Sequence, residues 1–329
     1  MTTAAVTTIL LRHDEAFEFV CDWQAPDAPT EFSSAEWAIA AWEHLPQLGD
    51  PAVLLAEDTS GWCALALASH RDDVGEQLTL AGAPLGDEHD IAHSPGADLN
   101  QLLPALVGAC EHLTDSSRQR VELCALAEDG LLIRELARRP ERWRLQREAA
   151  PIIHADRVSI AASGHRRRVR QLERVGAVTF GTVEGESLTS DEVEGFVSRR
   201  LRSWSERGRI DELPSVEHLP GFPRFMGAAV GSLARRRRAQ LRVLEVDGVR
   251  AAESLHLGPN HDPLMYMISY AARFAPYSPG RVLFEHTLLG LSDAAPRLST
   301  GRGDEPYKLA AGAGNECVVT ARSAVMERG

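Results

Sequence analysis

Lysine is almost missing from this chain of 329 residues: among 35 Lys and Arg residues it occurs once, as Lys308. A GC-rich genome shifts codons toward arginine, but that bias does not account for one lysine surviving where it stands. Lysine is a compact, mobile point charge and arginine a rigid planar fork, so position 308 is a candidate for chemistry that arginine cannot supply. Cysteine is scarce too. The five, Cys21, Cys63, Cys110, Cys124 and Cys317, are odd in number, widely spaced and without a C-x-x-C pair. With no export signal they read as reduced thiols, mostly in cores, and they lack the close ligand pairs of a structural zinc site. No stretch approaches the roughly 20 apolar residues of a membrane helix. The N-terminal MTTAAVTTILLRHDEAFEF has only a brief apolar run and no basic leader, so no signal peptide is expected. The expectation is a soluble cytoplasmic protein with no metal and no membrane contact. Gly-x-Ser-x-Gly, Walker and Rossmann signatures are absent as well, which leaves hydrolase, ATPase and dehydrogenase readings without support.

What is present suits a globular protein of two ordinary domains, with 44% apolar and 25% charged residues. The net charge of −12 repels nucleic acid at long range. Two basic clusters stand against that balance, His165 to Arg170 and Arg235 to Arg238. Charge runs of this kind are usually solvated helix faces, the alternative being a patch that meets a phosphate-bearing ligand.

The pattern alternates between strand and helix signals. Ser33-Ser34-Ala35-Glu36 opens a helix to His44, with Ser33 as cap and Glu36 closing a capping box. Strands are expected over Ala52–Glu57, Trp62–Ser69 and Gln77–Ala81, a long loop over Gly82–Gly96 and a helix over Leu99–Leu113. A boundary falls near residue 150, giving domains of 1–150 and 151–329. Thr189-Ser190-Asp191 caps a helix to Glu206, and Arg224–Arg236 forms another. Three strands follow, Gln240–Val246, Val249–Leu257 and Pro263–Ser269, with Asp247-Gly248 as a hairpin turn. A loop then leads to a helix from Pro279.

At that helix start, Ser278 is a natural N-cap and Pro279 suits the first helical position. Gly280 lets a ligand approach the backbone, free N–H groups and the helix dipole favour an anion such as pyrophosphate, and Arg281 adds charge.

The segments Tyr277-Ser278-Pro279-Gly280-Arg281-Val282-Leu283 and Arg302-Gly303-Asp304-Glu305-Pro306-Tyr307-Lys308 resemble a family of bacterial acetyltransferases of the cellulose-biosynthesis (CelD/BcsL) type. That family has the fold of GCN5-related N-acetyltransferases (GNAT) and is related to the FemAB aminoacyltransferases. Phe32 to Trp37, Leu80 to Asp87 and Leu244 to Gly248 extend the resemblance over most of the chain. It implies an α/β fold of tandem GNAT-like domains, with mixed central sheets flanked by helices. It also implies a degenerate N-terminal half and a donor site in the C-terminal half. The implied activity is transfer of an acyl group from acetyl-CoA or another acyl-CoA to an amine of a small molecule or sugar. Two alternatives are a FemAB-like transferase using aminoacyl-tRNA and a non-catalytic GNAT-fold binding protein. The usual glycine-rich phosphate loop of the family is reduced here to Gly280.

Amine acylation needs a base and a dipole or acid for the leaving group. Asp304, Glu305, Tyr307 and Lys308 are candidates; on their own they also read as a charged surface turn. The resemblance points to Asp304 or Glu305 for acceptor recognition or proton removal, and Lys308 for an anionic group or developing oxyanion. Period two places Glu253 with Leu255 and Leu257, where an apolar setting would raise its pKa for use as a base; the alternative is an edge position in water. His256, on the Ser254 face, is either a base or a hydrogen-bonded core residue. Asp87, Glu88, His89, Asp90 and His93 resemble metal ligands by type only and read as a loop over a cleft between domains.

Overall fold

A computed structural model describes residues 5–23, 30–73, 75–117 and 119–324. The chain divides into two compact units, 1–148 with 317–329, and 149–316. Among the described residues no helix is long and apolar enough to cross a membrane.

The first unit is built on β1 (Thr7–Arg12), β2 (Asp50–Asp58), β3 (Gly61–Asp72), β4 (Gly75–Leu80), β5 (Ala92–His93), β6 (Arg120–Ala127) and β7 (Trp143–Ala149). Its order is β1-β2-β3-β4-β6, then the C-terminal strand Cys317–Ser323, then β7, with β5 on β3. Pairing of β4 with β6 is parallel, so the sheet is mixed. The C-terminal strand, expected with the second half, instead pairs antiparallel with β6, placing Val319 opposite Leu126. Strand β2 is buried on both faces: Ala52, Leu54 and Ala56 join one core and Val53 and Leu55 the other. Helix α3 (Leu99–Ser117) covers the first face through Leu102, Leu106 and Cys110; α1 (His13–Cys21) and α2 (Ala35–His44) cover the second through Val20, Ala38 and Trp42.

One expectation shifts by a residue here. Ser34, not Ser33, caps α2 by accepting from Trp37 N–H at 3.3 Å. Ser33 donates to the Asp90 carbonyl at 2.7 Å. Asp90 in turn accepts from the N–H groups of Leu131 and Leu132 at 2.8 and 2.9 Å, capping α4 (Leu131–Leu136). In the loop expected over a cleft, His89 exchanges backbone hydrogen bonds with Ala125 and Ala127 at 2.8 and 3.0 Å and Asp90 holds the start of α4; Asp87, His89 and Asp90 are all buried.

The second unit runs β8 (Ile152–His154), α5 (Ala162–Glu173), β9 (Val178–Glu184), α6 (Ser190–Glu206), α7 (Phe222–Arg235), β10 (Ala239–Val246), β11 (Val249–Leu257), β12 (Leu264–Tyr270), α8 (Pro279–Leu289), β13 (Arg297–Ser299) and α9 (Pro306–Ala310). The sheet order is β8-β13-β12-β11-β10-β9. Asp247 and Gly248 both have positive φ, 50° and 71°, as the tight hairpin between β10 and β11 requires. Leu244 and Val246 point to a core with Leu172 of α5 and Val282 and Leu283 of α8. By alternation Leu241 and Val243 face the other way, where α7 packs on β10 and α6 on β12. Arg166, Arg167 and Arg170 lie exposed along α5, the solvated face that its charge pattern suggests.

Candidate active site

Pairing between β12 and β13 is parallel and is confined to Leu264 opposite Ser299. Beyond that pair β12 continues to Tyr270, while the other chain turns away through Thr300, whose N–H and hydroxyl both go to the Pro151 carbonyl. Among the described residues the far edge of β12 beyond that pair has no partner strand. Two of its carbonyls are met by α6: Arg200 donates to that of Ile268 at 2.7 Å, and the Ser203 hydroxyl to that of Tyr270. Arg200 is itself clamped by both oxygens of buried Glu217, at 2.9 and 3.0 Å.

Helix α6 can reach the strand because its spacing separates two duties. Val193, Phe196, Val197, Arg200 and Ser203 form its buried stripe. Arg199, Arg202 and Glu206 follow at helical spacing beside that stripe and line a pocket of about 430 Å³ with Glu253, Tyr270 and Arg273. Thr189 starts the helix, its hydroxyl accepting from Glu192 N–H at 3.2 Å.

Glu253 is buried in that pocket wall but is not the carboxylate among apolar neighbours that its strand pattern suggests. Its oxygens accept from Arg199 at 2.9 and 2.7 Å and from Arg250 at 2.7 Å. Glu192 completes the set, accepting from Arg199 at 3.1 Å and Arg250 at 2.6 Å. Burial works against the Arg199 charge, and the bonds to Glu253 outweigh it, raising its pKa. Both oxygens of Glu253 are thus taken up by arginines, which makes the carboxylate a clamp between α6 and β11.

His256 lies on the opposite face, against the α5 and α8 side, and does not line the pocket. Its Nε2 shares a 2.9 Å hydrogen bond with the Ser254 hydroxyl. Burial, and then the charge of Arg242, hold its pKa well below the ordinary histidine value. Of the two alternatives for His256, the geometry gives the hydrogen-bonded core residue.

Lys308 is buried and turned inward. Its ammonium donates to the carbonyls of Gly301, Arg302 and Gly303 at 3.3, 2.9 and 3.1 Å and meets Glu305 at 2.7 Å. All three ammonium protons are engaged, so the lysine staples the loop that leaves β13 rather than facing a substrate. Convergence on three carbonyls suits a compact ammonium and not a planar fork. Asp304 is exposed, and Glu305 is half-exposed in its pair with Lys308. Tyr307 sets its ring edge-on against Phe284 at 5.2 Å; desolvation there, with Glu305 nearby, pushes its phenol up to about 12. None of the four lines the pocket.

The turn before α8 also departs from its expected geometry. Ser278 occupies the N-cap position, but its backbone is left-handed at φ 51° and its side chain caps nothing. Pro279 begins the helix and is buried with Gly280. A Cβ on Gly280 would lie 3.2 Å from the Tyr270 ring, so this glycine permits helix-to-strand packing. Tyr277 packs at the edge of the same core, and Arg281 is tied to Glu285 at 2.9 Å. A pyrophosphate there would be held by the N–H groups of Gly280 and Arg281, which the first turn leaves free, and by the Arg281 charge.

The sequence pattern pointed to Glu253 but not to Arg199, Arg200 or Arg202. Their helical spacing was visible; which strand they would face was not.

Residues 161–309 match the family model described as acetyltransferase (GNAT) domain. No curated protein matches the chain in sequence. Solved structures share its fold at low identity. A conserved protein of unknown function from Bacteroides thetaiotaomicron is 11% identical with a TM-score of 0.57, over 94% of this chain and 96% of that one. The C-terminal DUF2156 domain of a protein described as a lysylphosphatidylglycerol synthetase, from Agrobacterium fabrum, is 14% identical with a TM-score of 0.59, over 94% and 91%. FemX is 9% identical with a TM-score of 0.55, over 97% and 98%. The chain is an α/β protein of two units, each built on a mixed sheet flanked by helices, and its second unit carries the GNAT domain match.

Proposed function

We propose that this chain is an N-acyltransferase that moves an acyl group from an acyl-CoA to the amine of a small molecule or sugar. The observation that carries the reading is the parting of β12 from β13 after Leu264–Ser299, with α8 starting nine residues beyond Tyr270. A strand edge opened in this way accepts an extended thioester arm, and a helix N-terminus beside it accepts the phosphates. The GNAT match over 161–309 supports the same reading. Kinship with the cellulose-biosynthesis type rests on the sequence resemblance, most specifically on the Tyr277–Leu283 and Arg302–Lys308 motifs.

In this reading α6 does the positioning. Arg200 and Ser203 fix the β12 edge through its carbonyls, and the pocket lined by α6 and β11 receives the acceptor. The acceptor nitrogen attacks the thioester carbonyl; the new C–N bond forms, the C–S bond breaks, and the amine proton leaves to solvent or a pocket carboxylate. Acyl-CoA supplies the activated acyl group, and coenzyme A leaves as its thiolate, which takes up a proton.

The test is binding of coenzyme A and acetyl-CoA by calorimetry, with bulk deacylated tRNA as comparison at fixed salt. Binding of coenzyme A that weakens in Arg281→Glu supports the acyl-CoA reading. Binding of tRNA alone, with a steep salt dependence, moves the assignment to a FemAB-like transferase, which the exposed arginines of α5 favour. No binding of either leaves a non-catalytic GNAT-fold protein.

A further inference from the structure

The charges that line the pocket do not cancel among themselves, and the remainder has a definite pattern. Four guanidinium groups, Arg199, Arg202, Arg250 and Arg273, share it with two carboxylates, Glu206 and Glu253. Arg199 and Arg250 are both spent on Glu253 and Glu192, and Arg250 also meets Glu245 at 3.8 Å. Arg202, Arg273 and Glu206 are left over. Among the described residues Arg202 and Glu206 make no hydrogen bond and no ion pair, and Arg273 only lies over the Phe274 ring at 4.7 Å.

Arg202 and Glu206 stand one helical turn apart on α6, about 6 Å along its axis, yet do not close on each other. The pocket thus offers two unspent forks and one unspent carboxylate within the reach of one small molecule. Ala251, Ala252, Ala271 and Ala272 keep its walls short, and about 430 Å³ falls in the range of small-ligand pockets. A ligand bearing only an anion would satisfy the arginines and be repelled by Glu206. A plain amine would satisfy Glu206 and meet Arg202 and Arg273 unfavourably.

We infer that the pocket binds a small zwitterion, an ammonium group together with a carboxylate, in the manner of a free amino acid. The carboxylate is taken by Arg202 and Arg273, whose planar forks match its two oxygens, and the ammonium by Glu206. As the identity of the acceptor this rests on the transferase reading; as a binding site it does not.

The experiment is calorimetric titration of the full chain with L-alanine and β-alanine, against propylamine and propionate as matched controls, at one ionic strength. The amino acids bind at least about tenfold more tightly than either control, as expected when two charged contacts replace one. Arg202→Gln and Glu206→Gln, both at exposed positions, each weaken amino-acid binding about three- to tenfold while the melting temperature holds. Equal binding of propionate or of propylamine, no binding of the amino acids, or indifference to both substitutions overturns the inference. Amino-acid binding without coenzyme A binding removes the acyl-CoA reading and leaves the zwitterion site. Coenzyme A binding with acyl transfer to propylamine alone does the reverse.

Discussion

Arg199 grips Glu253 across the face of the second sheet with two N–H···O bonds, 2.9 Å from Nε and 2.7 Å from an outer nitrogen. The pair joins α6 to β11, and Arg250 adds a third bond from the strand itself at 2.7 Å. This linkage fixes the wall of the pocket that receives the acceptor in the proposed reaction.

Replacing Glu253 with Gln keeps the volume but removes the charge facing two arginines. Arg199 is partly exposed, so solvent screens part of the loss, and we expect about 2–3 kcal/mol of destabilisation. Urea denaturation measures it as a lower midpoint with unchanged m-value. A variant as stable as the parent shows that the clamp contributes nothing.

Lys308 gives the opposite expectation to that of a reactive group. Lys308→Met leaves the carbonyls of Gly301, Arg302 and Gly303 without their donor and should cost about 2–4 kcal/mol, from several buried acceptors at 1–3 kcal/mol each. Thermal melting detects it. Full stability with lost turnover would return the lysine to the chemistry.

His256 predicts a pH dependence whose sign follows from burial. The unfolded chain takes up a proton at this side chain near pH 6.5, while the folded chain does not until much lower pH. The unfolded state therefore binds more protons as pH falls below about 6.5, and stability declines from there down to the folded pKa. His286 is shifted the same way, by burial first and then by His165 and Arg242, and adds to the slope. The fall in melting temperature between pH 7.5 and 5.5 should be smaller in His256→Gln. An identical fall in both proteins would sink this account.

Coenzyme A at about one hundred times its Kd should stabilise the chain by about 2.7 kcal/mol through mass action. That gives a melting shift of roughly 5–10 °C for a unit of this size. Arg281→Glu places like charge at the α8 N-terminus and should abolish most of the shift. An unaltered shift would locate the phosphates elsewhere.

Much of the architecture is written in short stretches of chain. Asp247-Gly248 dictates the β10–β11 hairpin because few residues tolerate two successive positive φ values. Thr189 starts α6 with its own hydroxyl, and Pro279 starts α8 through its fixed φ. These signals act over three or four residues, so the sequence carries them in full.

The site is another matter. Glu253 read as a lone carboxylate on a strand, and only the fold brings Arg199 to it from 54 positions away. Lys308 stood out as the one lysine, but whether its ammonium faced a substrate or three carbonyls depended on how the loop after β13 turned. The strand Cys317–Ser323 follows the second half in sequence yet completes the sheet of the first. Strand propensity is local, whereas the partner of an edge is chosen by which backbone elsewhere lacks one. Composition, caps and turns set the elements of this protein; tertiary pairing decided which charges were spent and which were left to meet a ligand.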